Sequence, residues 1–234
     1  MTTPIRSLEV RAENLEHAQR HWLERRREQS AAPAAAMSVA LMREAGTPGT
    51  SIAHEVGARL GWQVYDYELL ERIAAESGLR LSLLESVDER RKNWLTECVE
   101  ALGAVPGVNE NTYVRHLVQT VLSLAALGRC VIVGRGSAFI LPGERTLRVR
   151  LVGLLDDRIE GAARRRGLSR DEAARWVEQT ERERSRFVRD HFLKDQADPH
   201  HYDLVLHSSR WSVPECAGLI VDAVRRLESR LGSS

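Results

Sequence analysis

Lysine is almost missing from this chain. Lys92 and Lys194 are the two lysines among 34 basic residues, so nearly all positive charge sits on arginine. Genomic base composition can produce that bias, and so can a need for bidentate phosphate contacts. Cysteine is scarce too: Cys98, Cys130 and Cys216 are odd in number and far apart. That excludes a disulfide scaffold, and no Cys/His spacing matches a zinc finger. No apolar run is long enough to span a bilayer, and the N-terminus has no signal-peptide core. The expectation is a cytoplasmic protein without a membrane partner. An excess of one charge sign is also missing, with a net charge of +1 and 43% apolar residues. This is neither a disordered chain nor a bulk nucleic-acid binder. Its 234 residues suffice for one sizeable α/β domain with a small appendage.

What is present alternates between strand and helix patterns. Residues 8–29 read as a charged helix with Leu8, Val10, Leu15, Ala18 and Trp22 as its apolar positions. It is a candidate surface for packing on the main domain or on a second copy, as a homodimer. Residues 30–36 read as a linker. Strand patterns follow at Ser38–Met42, Trp62–Tyr65, Arg129–Gly134, Leu147–Val152 and Tyr202–His207. Helical patterns occupy Thr50–Leu60, Tyr67–Ser77, about 81–102 and 111–127, Leu155–Arg166, about 170–192, and Pro214 to about Leu231. Gly61 fits a C-cap, and Asp66 and Ser169 fit N-caps. This alternation predicts a mostly parallel sheet with helices on both faces.

Four stretches carry candidate chemistry. After the first strand, Gly46-Thr47-Pro48-Gly49 leads into a helix through Thr50 and Ser51. A glycine turn at a helix N-terminus is suited to phosphate, because free amides and the helix dipole face the anion. The same pattern also fits an ordinary turn with Thr50 or Ser51 as N-cap. Gly134-Arg135-Gly136-Ser137 follows a buried strand, at the sheet edge where open α/β folds bind ligands. Arg182, Arg186 and Arg189 share one helix face, suited to clamping phosphoryl oxygens or to pairing with glutamates in solvent. Asp66, in Tyr65-Asp66-Tyr67-Glu68, is suited to binding a base or ribose, to helping position a metal, or to capping the next helix. His191, His200, His201 and His207 lack a metal-ligand spacing and read as surface or lid residues.

In order and spacing these stretches resemble the cytidylate kinase-like family of P-loop nucleoside monophosphate kinases. Its loop, roughly Ser-Arg-Glu-x-Gly-Ser-Gly-Gly-Arg-Glu-Ile-Ala, aligns without a gap with residues 42–53. Val64–Leu69, Val133–Leu141, Asp157-Arg158, the Glu-Arg-x-Arg pattern at 181–184 and Asp198-Pro199 with Tyr202–Val205 follow the family as well. The resemblance implies a P-loop three-layer α/β sandwich with a five-stranded parallel sheet. It implies a domain at 37–232, with a helical monophosphate-binding insert at about 66–128 and a mobile lid at about 178–200. The implied reaction moves the γ-phosphoryl group of ATP, with magnesium, to a nucleoside monophosphate such as CMP or dCMP. Gly46, Thr47, Gly49, Thr50 and Ser51 would hold donor phosphates. Asp66 and Arg135 would face the acceptor, and Arg182, Arg186 and Arg189 would close over the transferring group.

The chain departs from that pattern at the loop. Cytidylate kinases carry a lysine in the loop, and the kinase-like family often carries arginine at the position of Thr50 with glutamate at that of Ser51; here neither basic group is present. Gly136 replaces an acidic residue of cytidylate kinases. Arg43, Arg59 and the lid arginines are the candidates to supply the missing charge. The rival reading is a pseudokinase, a nucleotide-binding or regulatory module without turnover.

Overall fold

A computed structural model describes residues 37–87, 89–103 and 111–231, together with Arg20. The expected N-terminal helix, Arg20 apart, and the linker lie outside the described residues. The chain runs β1 (Ser38–Arg43), α1 (Gly49–Leu60), β2 (Gln63–Tyr65), α2 (Tyr67–Ala75), α3 (Ser77–Ser86), α4 (Glu89–Gly103) and α5 (Thr112–Leu127). It continues β3 (Cys130–Val133), α6 (Ser137–Ile140), β4 (Thr146–Val152), α7 (Leu155–Arg166), α8 (Arg170–Phe192), β5 (Leu204–His207) and α9 (Val213–Leu231).

The five strands form one parallel sheet in the order β2-β3-β1-β4-β5. Period-two alternation sends β1 side chains to two cores. Val39 and Leu41 pack with Ile52, Val56 and Ile220 of α1 and α9. Ala40 and Met42 pack on the other face with Leu70, Leu117, Val121, Val188 and Phe192. Both faces being covered, the strands read as short continuous apolar runs. A third cluster, Ala45, Ile159, Ala162, Ala173 and Val177, joins α7 and α8 to the end of β1.

Local signals explain most boundaries. Gly61 ends α1 in the left-handed conformation. Asp66 Oδ1 accepts the Leu69 amide at 3.0 Å, and Ser169 forms a capping box with Glu172. Two helix expectations change. The helix expected over about 81–102 is broken at Val87, whose buried side chain and extended backbone draw the chain out of helix between α3 and α4. The first helix starts at Gly49, with Pro48 as N-cap residue and no side-chain cap, so neither Thr50 nor Ser51 caps it. Among the described residues no helix is long and apolar enough to cross a membrane.

Candidate active site

β1 is central and β3 is its neighbour, so the loops that leave them lie side by side at the carboxyl edge of the sheet. In the first loop the Glu44 amide donates to the Leu151 carbonyl at 3.0 Å, and the Thr47 hydroxyl donates to the Glu44 carbonyl at 2.8 Å. Gly46 has φ +88°, and a Cβ there would overlap the Arg158 carbonyl, so only glycine fits. No side chain caps the start of α1 and its first turn holds no acid. The positive end of the helix dipole therefore faces the loop unneutralised.

Between this loop, the Gly134–Gly136 loop and α8 lies a cavity of about 560 Å³. Arg43, Arg135, Arg165, Arg166 and Arg184 all reach it, with Asp66, Tyr67, Glu68 and Phe187 on the same walls. Arg43 runs across the mouth of the sheet: a Cβ on Gly49 would overlap its stem, and a Cβ on Gly134 would come within 2.7 Å of its Nη1. Burial, then Arg184 and Arg135, pull its pKa down to about 9 against the opposing pull of Asp66. Arg184 donates to the Arg43 carbonyl at 3.1 Å, and burial lowers its pKa although Glu181 opposes the shift. Arg135 is itself in a left-handed conformation at φ 50°, between two left-handed glycines. Its guanidinium lies 3.8 Å over the Tyr67 ring and 3.1 Å from Glu71, and its buried Nε has no hydrogen-bond partner. Crowded guanidinium groups under burial make a site that gains by taking in an anion.

Beneath the loop, α7 and α8 hold its backbone. Glu181 Oε2 accepts the Ala45 amide at 2.7 Å, and Arg158 Nη1 donates to the Ala45 carbonyl at 3.2 Å. Glu44 meets the Gly153 amide at 3.0 Å and Arg158 Nε at 3.5 Å. Gln196 Nε2 joins Glu181 Oε1 at 3.0 Å to the Ser185 hydroxyl at 2.7 Å.

Of the residues singled out in the sequence, Gly46, Thr47, Thr50, Asp66 and Arg135 share the walls of this cavity. Gly49 is buried under the Arg43 stem, and Ser51 is exposed and off the walls. Arg182, Arg186 and Arg189 do share a face, as their spacing requires, but it is the outer one. They line a separate cavity of about 940 Å³ between α7 and α8. There Arg182 pairs with Glu178 at 2.7 Å. Arg184 is the arginine that turns inward instead. Arg59 pairs with Glu55 at 2.7 Å at the far end of α1. Sequence reasoning also passed over Arg165, Trp176 and Trp211. Trp211, nearly half exposed, lines a third cavity of about 340 Å³ that shares Gly46, Thr47 and Arg165 with the first. Among the described residues no cluster of three or more His, Cys, Asp or Glu could hold a metal.

A parallel five-stranded sheet, a glycine loop opening into a helix at its central strand and a long arginine-bearing helix over that loop are consistent with a P-loop kinase-like fold. The chain belongs to the cytidylate kinase-like family, whose model matches residues 38–210. A cytidylate kinase of Methanopyrus kandleri is 31% identical over an alignment of 112 residues that covers 44% of this chain and 58% of that protein. An uncharacterized protein from Eubacterium ventriosum has the same fold. It superposes with a TM-score of 0.63 at 18% identity, covering 81% of this chain and 98% of that one. Membership of the family supports a nucleotide kinase-like function.

Proposed function

We propose that this protein transfers the γ-phosphoryl group of ATP to the phosphate of a nucleoside monophosphate, with CMP or dCMP as acceptor. One observation carries the reading. Arg43, Arg135 and Arg184 meet between the two glycine loops, where a donor's terminal phosphate and an acceptor's phosphate would lie next to each other. The donor phosphates lie along Gly46–Thr50 and the donor base extends into the third cavity, beside Trp211. The acceptor phosphate sits against Arg135 and Arg43, with Asp66 and Tyr67 toward its nucleoside. Helices α2 to α5 serve as the acceptor-binding insert and residues 178–200 as the lid. In such a transfer the acceptor oxygen attacks phosphorus, the bond to the bridging oxygen breaks, and ADP leaves. Positioning and charge neutralisation supply most of the acceleration.

The walls suit a magnesium ion that arrives on a triphosphate, since such ions take one or two protein oxygens and fill the rest with phosphate and water. Thr50 and Glu68 offer a hydroxyl and a carboxylate there. The ion, when bound, neutralises charge on the phosphates.

A second reading is a nucleotide-binding module without turnover. It is favoured by Thr50 at the position of the basic residue and by Pro48, which removes a backbone donor from the loop. One experiment separates the two. The protein is incubated with ATP, magnesium and CMP, dCMP, UMP or AMP, and ADP release is followed alongside calorimetric ATP binding. Acceptor-dependent ADP release, fastest with CMP or dCMP, supports the kinase. ATP binding with no turnover on any acceptor overturns it in favour of the module, and no nucleotide binding removes both.

A further inference from the structure

Arg165 sits on the last turn of α7, far in sequence from the loop. Its side chain folds back along the helix, and its Nη2 donates to the Gly46 carbonyl and, at 3.4 Å, to the Thr47 carbonyl. The path exists because position 161, one turn earlier, is glycine. A Cβ at 161 would stand 2.9 Å from Nη2, 3.0 Å from Nη1 and 3.0 Å from the Gly46 oxygen. Gly161 thus admits both the guanidinium and the loop backbone to the same surface of α7.

The charge at this spot differs from its neighbours. Arg158 is paired with Glu44 and Glu181, and Arg135 with Glu71. Arg165 has no carboxylate within ion-pair distance among the described residues. It lines both the first and the third cavity, which also share Gly46 and Thr47 in their walls. The loop itself contributes no basic side chain from Ala45 to Ile52. A phosphate-binding loop ordinarily carries a lysine that reaches the β- and γ-phosphates.

We propose that Arg165 supplies this missing charge, so that the phosphate-binding loop takes its cation from α7 instead of from its own helix. Resting on the loop carbonyls, the guanidinium keeps donors to spare for the donor's β- and γ-phosphoryl oxygens. The planar fork suits bidentate phosphate contact. Arg43 does not fill the role, because although its stem crosses Gly49 its guanidinium lies beside Gly134 and is drawn toward Asp66, where the donor's terminal phosphate meets the acceptor. This assignment rests on the nucleotide reading given above.

The test is a cycle of variants of the full chain, with binding of ATP, ADP and AMP measured by calorimetry in magnesium. Arg165→Ala is expected to weaken ATP and ADP binding on the order of ten- to hundredfold, with little change for AMP and an unchanged melting temperature. Adding Thr50→Lys to Arg165→Ala is expected to restore most of the loss, because the charge then comes from the position it replaces. Should Arg165→Ala lower the melting temperature, Arg165→Gln, which removes the charge but keeps an aliphatic stem and an amide donor on the same surface of α7, is read instead. ATP binding by the unsubstituted chain that Arg165→Ala and Arg165→Gln leave unaltered overturns the role of Arg165 and spares the nucleotide reading. A Thr50→Lys that strengthens ATP binding equally with and without Arg165 also overturns it. No ATP binding by the unsubstituted chain removes both.

Discussion

Arg43 and Gly46 show how single residues shape the anion site. Arg43 is pulled to about pH 9 by burial and by Arg184 and Arg135, and a phosphate beside it would favour the charged form. The free site then loses its proton near pH 9, whereas the occupied site keeps it to higher pH. Binding between those two values takes up a proton, so affinity is flat below about 9 and falls above it, by up to about tenfold per pH unit. Calorimetry with CMP at pH 8 and pH 10 checks this, and Arg43→Gln should flatten the profile. Equal affinity of the unsubstituted protein at the two values would mean that Arg43 stays charged to pH 10, and a loss of CMP affinity in Arg43→Gln at pH 8 then decides whether Arg43 is a phosphate ligand. Gly46 acts through backbone geometry instead. Gly46→Ala forces a side chain into φ +88° and against the Arg158 carbonyl, a strain of about 1–3 kcal/mol. Thermal unfolding should then fall by roughly 2–4 °C for each of those kcal/mol in a chain of this length.

At the scale of elements, α8 shows what the sequence discloses and what it hides. The caps of α1, α2 and α8 were readable because Gly61, Asp66 and Ser169 act locally. The break at Val87 was not, since no glycine or proline marks it and burial in the core makes it. For the arginines, helical spacing correctly grouped Arg182, Arg186 and Arg189 on one face, but spacing does not say which face meets the loop. A better signal lies in the apolar stripe. Ala173, Val177, Val188 and Phe192 are buried on α8, and the stripe is interrupted between 177 and 188 by Thr180, Glu181 and Arg184. Polar residues in line with a buried stripe mark the place where the helix crosses a polar structure, here the loop held by Glu181 and Arg184. If α8 serves the loop through that face, Arg184→Ala should lower kcat on the order of 10²–10³. Arg186→Ala should cost at least about tenfold less than that. Steady-state kinetics on the two variants decides it, and equal losses would return the site to the outer face.

For the whole molecule, the sheet's two cores leave one edge for binding, and three cavities open around α7 and α8. The first and third share Gly46, Thr47 and Arg165 in their walls, and on the proposed reading a donor nucleotide lies along both while an acceptor enters from the Asp66 and Arg135 side. The five-stranded framework was legible because each strand is a short apolar run followed by a turn signal. The first and third cavities were not, because they join residues more than 100 positions apart, such as Gly46 with Arg165. The joint geometry makes a prediction that neither cavity makes alone. A ligand with two nucleosides linked by a polyphosphate should occupy donor and acceptor positions together. It should bind more tightly than ATP or a monophosphate, since its second half is held at high effective concentration. At a hundred times its dissociation constant it would stabilise the native state by about 2.7 kcal/mol, raising the melting temperature by roughly 5–10 °C. A thermal-shift series at one fixed concentration, comparing this ligand with ATP and CMP alone and mixed, reads the difference directly. If the linked ligand gives no larger shift than ATP, the two nucleotide positions are not spanned by one chain of phosphates, and the arrangement of donor and acceptor around Arg43 and Arg184 is wrong.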